Sequence, residues 1–383
     1  MKLKRPIFRV FQVALAIVDV TVIVALLTCA FGGFIDPRTW SMPAVACLAL
    51  PFVAALAVLW LAVTALMRHW RGSIATLVAL FISLPQLLTI VSIGAGAASL
   101  PVDAPLPHGS VTVMSFNVSG TGLWKYNKLP KPNPLISYVI NKNADIVVFQ
   151  EGSLGGIDYE RIPAISVIKD ELNAAYPYRE RGYHDVLLLS KYPYKRLNFD
   201  SIIDPDWINP DKPTDLNFDL EGYDVELPGG RSLRVIGFHL QAFGLQPADK
   251  KFYVDVTHGK AETRQDVSRF KTNLIDKLRH SFKAQAAEAE LIRRVIDASP
   301  GDVVVCGDMN NVAPSWPYRT IRGNDMRDVF TELERGYMRT YNRHRMYFHI
   351  DHMFYRGNLR PVAFERGDTI TSDHFPLITT FEY

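Results

Sequence analysis

The sequence predicts two unlike parts, a membrane region of three transmembrane helices followed by a mixed α/β domain. Three observations lead there. Three apolar stretches, about 7–34, 42–67 and 73–100, are each long enough to cross a hydrocarbon core of ~30 Å. Residues 98–110, ASLPVDAPLPHGS, are small and proline-rich with no helical or strand period, as a linker requires. Beyond them, short β-branched or aromatic runs are separated by helical and loop stretches. The expected division is a membrane region over 1–106 and a second domain over 107–383.

The three apolar stretches lack the water-facing stripe of a soluble core helix. Asp19 interrupts the first, where an ionisable group costs ~2.5–3.5 kcal/mol, so it is expected to face neighbouring helices. Lys2, Lys4 and Arg5 precede the first stretch, and Arg68 and Arg71 stand between the second and third. The first connection has only Arg38 beside Asp36. Positive-inside counting then puts the amino terminus in the cytoplasm of a plasma or inner membrane, and the odd number of spans delivers the second domain to the outer side.

Charge divides the same way. Residues 1–106 hold seven Lys/Arg against three acids, leaving 35 basic and 36 acidic residues downstream. A domain so near neutrality is not built to grip a nucleic-acid backbone non-specifically, although a small basic groove remains open. The three cysteines form neither a disulfide framework nor zinc-type spacing.

In the second domain the strand-like runs end in polar residues. VTVMSFN ends at Asn117, DIVVFQE at Glu151, LRVIGFH at His239, and VVVCGDMN reaches Asp308 and Asn310. FHIDHMF carries Asp351 and His352, and ITSDHFPLITTF places Asp373 and His374 before the last strand. One such residue is ordinarily a cap or an Asx turn; capping does not account for the repetition. If the ends converge, Glu151, Asp308, Asp351 and Asp373 raise one another's pKa unless a cation and imidazoles compensate. Carboxylate and amide oxygens suit Mg²⁺, with Mn²⁺ the alternative, better than zinc.

Together with Ser190-Lys191-Tyr192-Pro193, these motifs make residues 109–383 resemble the endonuclease/exonuclease/phosphatase superfamily. The resemblance implies a four-layer α/β/β/α sandwich of two mixed sheets with a metal site at one end. It also implies roles for the strand ends. Glu151 is the principal metal ligand, with Asn117 beside it and Asp373 completing the acidic cluster. Asp308 activates the attacking water, Asn310 fixes that water and the phosphoryl oxygens, and His239 stabilises charge or assists the leaving group. His374 contacts the phosphate and is oriented by Asp351. Val118-Ser119 lacks the extra acid of some DNA-repair members, which weakens both a two-metal arrangement and a repair-nuclease reading.

Two local forms are also expected. Pro228-Gly229-Gly230 reads as a hairpin turn, and Leu274, Leu278, Phe282 and Ala286 repeat at the spacing of an outer-layer helix. Substrate choice is expected in loops 119–134 with Trp124 and Tyr126, 200–220 with Trp207, and 241–262 with Phe243, Phe252 and Tyr253. Three classes stay open: a hydrolase of lipid or small phosphoesters, a membrane-tethered nuclease, and a non-catalytic binding protein on the same fold. The partners implied are a phosphoester and the lipid bilayer; no protein partner is inferable.

Overall fold

The computed structural model describes residues 5–94, 107–119, 131–152, 162–180, 185–199, 201–202, 219–258, 264–343, 347–369 and 371–383. Most of the linker, and Trp124, Tyr126 and Trp207 in the expected selector loops, lie outside them.

The apolar stretches fold as helices α1 (Arg5–Phe31), α2 (Met42–Cys47), α3 (Leu50–Leu66) and α4 (Trp70–Leu87). Leu26, Ala30, Leu50, Ala57 and Ala79 fill the contact among α1, α3 and α4, where small side chains let backbones approach. Asp19 does face its neighbours: its carboxylate accepts from Trp60 Nε1 at 2.9 Å and meets His69 Nε2 at 2.8 Å. The outward faces stay apolar. Among the described residues, all but four of the exposed large hydrophobic side chains lie between Val10 and Ile93. Two helices, over Arg9–Phe34 and Trp70–Leu87, are long and apolar enough to cross a membrane, and Leu50–Leu66 is a shorter apolar helix.

The helices depart from the expected spans at their outer ends. The second stretch breaks at Leu48-Ala49, with Pro51 in the first turn of α3, where proline's missing N–H costs nothing. The third helix stops at Leu87. Thr89 Oγ1 donates to the Gln86 carbonyl at 2.7 Å, and Val91–Ile93 becomes strand β1 because β-branched residues there find a partner strand.

The rest of the chain runs β2 (Ser110–Asn117), α5 (Pro134–Lys142), β3 (Ile146–Gln150), α6 (Pro163–Ser166), α7 (Lys169–Ala175), β4 (Tyr178–Arg179), β5 (Leu187–Ser190) and β6 (Tyr194–Arg196). It continues with β7 (Asp219–Leu227), β8 (Arg231–His239), α8 (Pro247–Thr257), α9 (Arg264–Asp297) and β9 (Val303–Asp308). Then come α10 (Trp316–Arg322), β10 (Arg327–Asp328), α11 (Val329–Leu333), β11 (Arg335–Tyr337), β12 (Asp351–Arg356), β13 (Arg360–Arg366) and β14 (Leu377–Glu382). Pro228–Gly230 is the turn between β7 and β8, with Gly229 and Gly230 at positive φ.

Two six-stranded mixed sheets form, in the orders β13-β14-β2-β3-β5-β4 and β10-β12-β9-β8-β7-β6. Side-chain alternation builds the layers. Val111, Val113, Ile146 and Val148 of one sheet meet Val235, Val304 and Cys306 of the other. On the outer faces, Phe116, Val147 and Phe149 pack on Leu135 and Val139 of α5, while Ile236, Val303 and Val305 pack on Ile292 and Ile296 of α9. Strands covered on both faces read as unbroken apolar runs, which explains β3 and β9. The result is the four-layer sandwich.

Register then gathers the polar tips. β2 and β3 run parallel with Asn117 opposite Gln150, and β8 and β9 run parallel with His239 opposite Asp308. β12 is antiparallel to β9 with Asp351 opposite Asp308, and the turn before β14 brings His374 alongside. At Gly237 an added Cβ would lie 2.6 Å from Val148 and from Val186, so the sheets approach closely just beneath this edge.

The helices are joined to the sandwich. β1 pairs with β11 in antiparallel register, Val91 opposite Tyr337. The Arg319 guanidinium lies 3.2 Å from the Phe34 ring centroid, Arg38 pairs with Glu290, and Arg279 Nε donates to Ser41 Oγ at 2.9 Å.

Candidate active site

Asn117, at the tip of β2, is buried and points its amide at two carboxylates, donating to Asp308 Oδ2 at 2.8 Å and to Glu151 Oε1 at 3.1 Å. Its Oδ1 accepts from the Ser119 N–H at 2.8 Å. Glu151 and Asn310 both take the left-handed conformation, φ 52° and 49°, which turns each side chain out of its strand line into the site. Asp308 Oδ1 accepts from the Asn310 N–H at 2.7 Å. The Asn310 amide in turn donates to the Leu240 carbonyl at 2.9 Å and lies 3.1 Å from His239 Nε2.

Each imidazole has a carboxylate behind it. His374 Nδ1 is 2.9 Å from Asp351 Oδ2, and its Nε2 is 3.6 Å from Asp308 Oδ2. His239 Nδ1 is 2.7 Å from Asp185 Oδ2, and its Nε2 is 3.8 Å from Asp308 Oδ2 and 4.0 Å from Glu151 Oε1. Burial alone would lower both histidines. For His374 the charges of Asp351 and Asp308 outweigh it and lift the ring to about 10. For His239 the Asp185 hydrogen bond and the Asp308 charge lift it to about 9. Burial pushes Asp308 up to about 6, against the pull of His374 and His239. The surrounding carboxylates thus favour the protonated form of both rings, while the two rings favour the ionised form of Asp308.

A cavity of about 250 Å³ opens on this edge, lined by Glu151, Asp308, Asn310, Asp373, His374 and Tyr341 among others. All eight residues singled out in the sequence stand at this edge of the sandwich. His352, in the same motif as Asp351, does not: strand alternation sends it to the opposite face, where it stacks on His349 at 4.5 Å and burial holds it well below the usual histidine range.

Several supporting residues were given no role in the sequence, Ser372 among them although it stands in the motif of Asp373 and His374. Asp185 accepts from the Glu151 N–H at 3.2 Å as well as holding His239. Ser372 Oγ donates to the Asn117 carbonyl at 2.8 Å and accepts from the His374 N–H, locking the β14 turn to β2. From α9, Gln285 donates to the Gln241 and Asn310 carbonyls and Glu288 accepts from the Gln241 N–H at 2.8 Å. The α9 partners meet across 25 to 47 residues of sequence, and Ser372 meets Asn117 across 255, which no local pattern encodes.

The donor set fits a hard divalent cation. Asp308, Asp351 and His374 offer ligand atoms within 4.8 Å of one another, but the Asp351 carboxylate is directed at His374 Nδ1, a position a proton already fills. Glu151 instead presents a carboxylate whose side chain is 39% exposed, beside Asp373 on the cavity wall. Oxygen donors without a thiolate are the chemistry of Mg²⁺ or Mn²⁺.

The sequence matches the Endonuclease/Exonuclease/phosphatase family over residues 114–374, and a domain of unknown function, DUF8431, over residues 11–90. No curated protein matches it. Similar solved structures include D. rerio TDP2 complexed with single strand DNA product, at 16% identity and TM-score 0.45 over 72% of this chain and 99% of that one. A Bacteroides thetaiotaomicron endonuclease/exonuclease/phosphatase family protein aligns at 15% identity and TM-score 0.43, covering 71% and 97%. Beta toxin from Staphylococcus aureus aligns at 18% identity and TM-score 0.41, covering 70% and 99%. The chain belongs to the Endonuclease/Exonuclease/phosphatase family, whose members are phosphoester hydrolases that generally use divalent metal ions.

Proposed function

We propose that the chain is a membrane-anchored, Mg²⁺-dependent phosphoester hydrolase whose catalytic domain, residues 107–383, sits on the outer side of a cell membrane. The observation that carries the chemistry is the convergence of two acid–imidazole pairs, Asp185–His239 and Asp351–His374, on the buried Asp308 carboxylate. Ester hydrolysis needs an in-line nucleophile, neutralised phosphoryl charge and a proton for the departing oxygen. Asp308 positions a water and takes its proton, and Asn310 holds the water against the phosphoryl group. The water oxygen bonds to phosphorus as the ester P–O bond breaks. His374 faces the phosphoryl oxygens, and His239 gives its Nε2 proton to the leaving alkoxide. Glu151 and Asp373 would hold the cation, which would supply positive charge to offset that of the phosphoryl group. Asn117 keeps Glu151 and Asp308 in place.

Anchoring is supported by the exposed apolar belt of α1, α3 and α4. Arg5 at the start of α1 and Arg68 and Arg71 at the connection of α3 to α4 support the reading of a cytoplasmic amino terminus and an outer catalytic domain.

The test supplies purified full-length protein in detergent with Mg²⁺ or Mn²⁺, a chromogenic phosphodiester, phospholipid and single-stranded oligonucleotide. Asp308→Asn is expected to lose ~10²–10⁴-fold in turnover without a fall in Tm, because a general base is removed and no packing is. Wild-type turnover by the folded variant would falsify the assignment. Chelator-insensitive turnover removes the cation from the reading, and strong preference for the oligonucleotide makes the protein a tethered nuclease.

A further inference from the structure

We infer that the phosphoester is carried by an amphiphile of the adjoining lipid leaflet, its phosphate at the polar end of the cavity and its apolar chain along a wall that leads to the helix ends. This rests on the hydrolase reading and on the anchoring above. Besides Glu151, Asp308 and His374, the cavity is lined by Phe243, Leu245, Phe348 and Ile350. Two of these also belong to the junction with the helices. Phe243 meets Phe282 edge-on at 5.5 Å and shares an apolar cluster with Val45 and Leu48 at the end of α2. Phe348 lines a second, smaller cavity whose far wall is Leu48, Pro51, Thr89 and Ile90. Phe348 is thus common to the cavity of the reacting groups and to the one that reaches Leu48, Pro51, Thr89 and Ile90, and Phe243 joins the first of these to the end of α2.

The spacing between the sandwich and the helix ends is short as well. β1 begins at Val91, only four positions after α4 ends at Leu87, and its ladder with β11 holds the sandwich there. Trp40, 58% exposed between α1 and α2, and the exposed Tyr337 and Tyr347 are amphipathic rings suited to headgroup depth. A polynucleotide needs a cationic track for its backbone. Among the described residues lining the cavity Lys250 is the one lysine or arginine, and with the site's own His374 it suits a single headgroup phosphate rather than a run of them. An apolar wall of this kind gains binding free energy with each chain methylene it removes from water, and nothing from a sugar-phosphate strand. In the reaction one P–O bond of the headgroup breaks, the water oxygen takes its place on phosphorus, and the alcohol leaves with a proton.

The experiment reconstitutes the full chain with Mg²⁺ in vesicles of phosphatidylethanolamine, phosphatidylglycerol and phosphatidic acid, following loss of each lipid by chromatography. Bis(4-nitrophenyl) phosphate and a single-stranded oligonucleotide are offered at equal concentration. At least one vesicle lipid is expected to turn over ~10-fold or more faster than either soluble substrate. Phe348→Ser, with Leu245→Ser on the half-buried loop as the variant that spares the fold, is expected to raise the lipid KM, in mole fraction, ~10-fold through lost apolar contact. Soluble substrates turned over as fast as every lipid, or an unchanged lipid KM in a folded variant, overturn the inference alone. No turnover of any substrate overturns it together with the hydrolase reading.

Discussion

Asp185 shows how a single carboxylate acquires its role from its surroundings. It sits at the entrance to β5 and accepts from both the His239 ring and the Glu151 backbone, so it sets the tautomer of one site residue and the position of another. Replacing it by Asn keeps an acceptor for the Glu151 N–H but turns an amide hydrogen or a neutral oxygen toward Nδ1. Asp185→Asn should lower kcat ~10–100-fold, the usual range for a partner of a ligating or reacting group, with KM nearly unchanged and no loss of Tm. Steady-state kinetics on a soluble diester check this; a change confined to KM would deny the orienting role. Asp351 and His352 make the complementary point. They are adjacent and equally polar, yet one faces His374 and the other a hydrophobic layer, because consecutive strand residues point to opposite faces.

Among the elements, α9 does more than cover a sheet. Its inward face packs Ala289, Ile292 and Ile296 on the sheet, while Gln285 and Glu288, one turn earlier, hold the loops after β8 and β9 that carry the site. Glu288 is wholly buried and burial pushes its carboxyl up to about 7 from an ordinary 4.5, with the Gln241 N–H pulling the other way. The sign follows from linkage. Between about 4.5 and about 7 the folded protein keeps a proton that the unfolded chain has lost, so this group's contribution to stability falls as pH rises through that window and is flat above it. Glu288→Gln keeps the acceptor for Gln241 and has no proton to lose. Its Tm should fall less than wild type as pH rises across the window, leaving the variant relatively more stable at the alkaline end. Parallel slopes for the two proteins, measured by thermal melts against pH, would refute the assignment.

At the scale of the whole molecule, the helices and the sandwich meet through β1 with β11, through α2 with α9, and through Phe34 with Arg319. Within the helices, Asp19 ties α1 to Trp60 of α3 and to His69 before α4. Asp19→Ala removes the acceptor from both donors, and interhelical hydrogen bonds in apolar surroundings contribute ~0.6–2 kcal/mol each. The variant should melt several degrees lower in detergent while its turnover of a soluble diester, measured well below the transition, stays at wild type. An unaltered Tm would show that the pair contributes nothing to helix packing.

The sequence by itself determined the apolar character of the first hundred residues, the alternation of strands and helices that follows, the turn at Gly229-Gly230 and the strand ends that bear Asn117, Glu151, His239 and Asp308. These were legible because each depends on neighbours within a few positions: period, punctuation and the type of residue that closes a run. The sandwich, and the metal-dependent chemistry proposed for it, were legible only through the joint resemblance of several motifs. What tertiary structure alone decided was every relation across sheets. It stopped the third helix at Leu87, since Val91–Ile93 found a partner in β11, some 240 residues away. It separated Asp351 from His352, gave His239 its partner Asp185, and set Phe243 and Phe348 between the site and the helix ends. Such choices follow from which surfaces exclude water together, a property of the packed chain that no local stretch of residues carries.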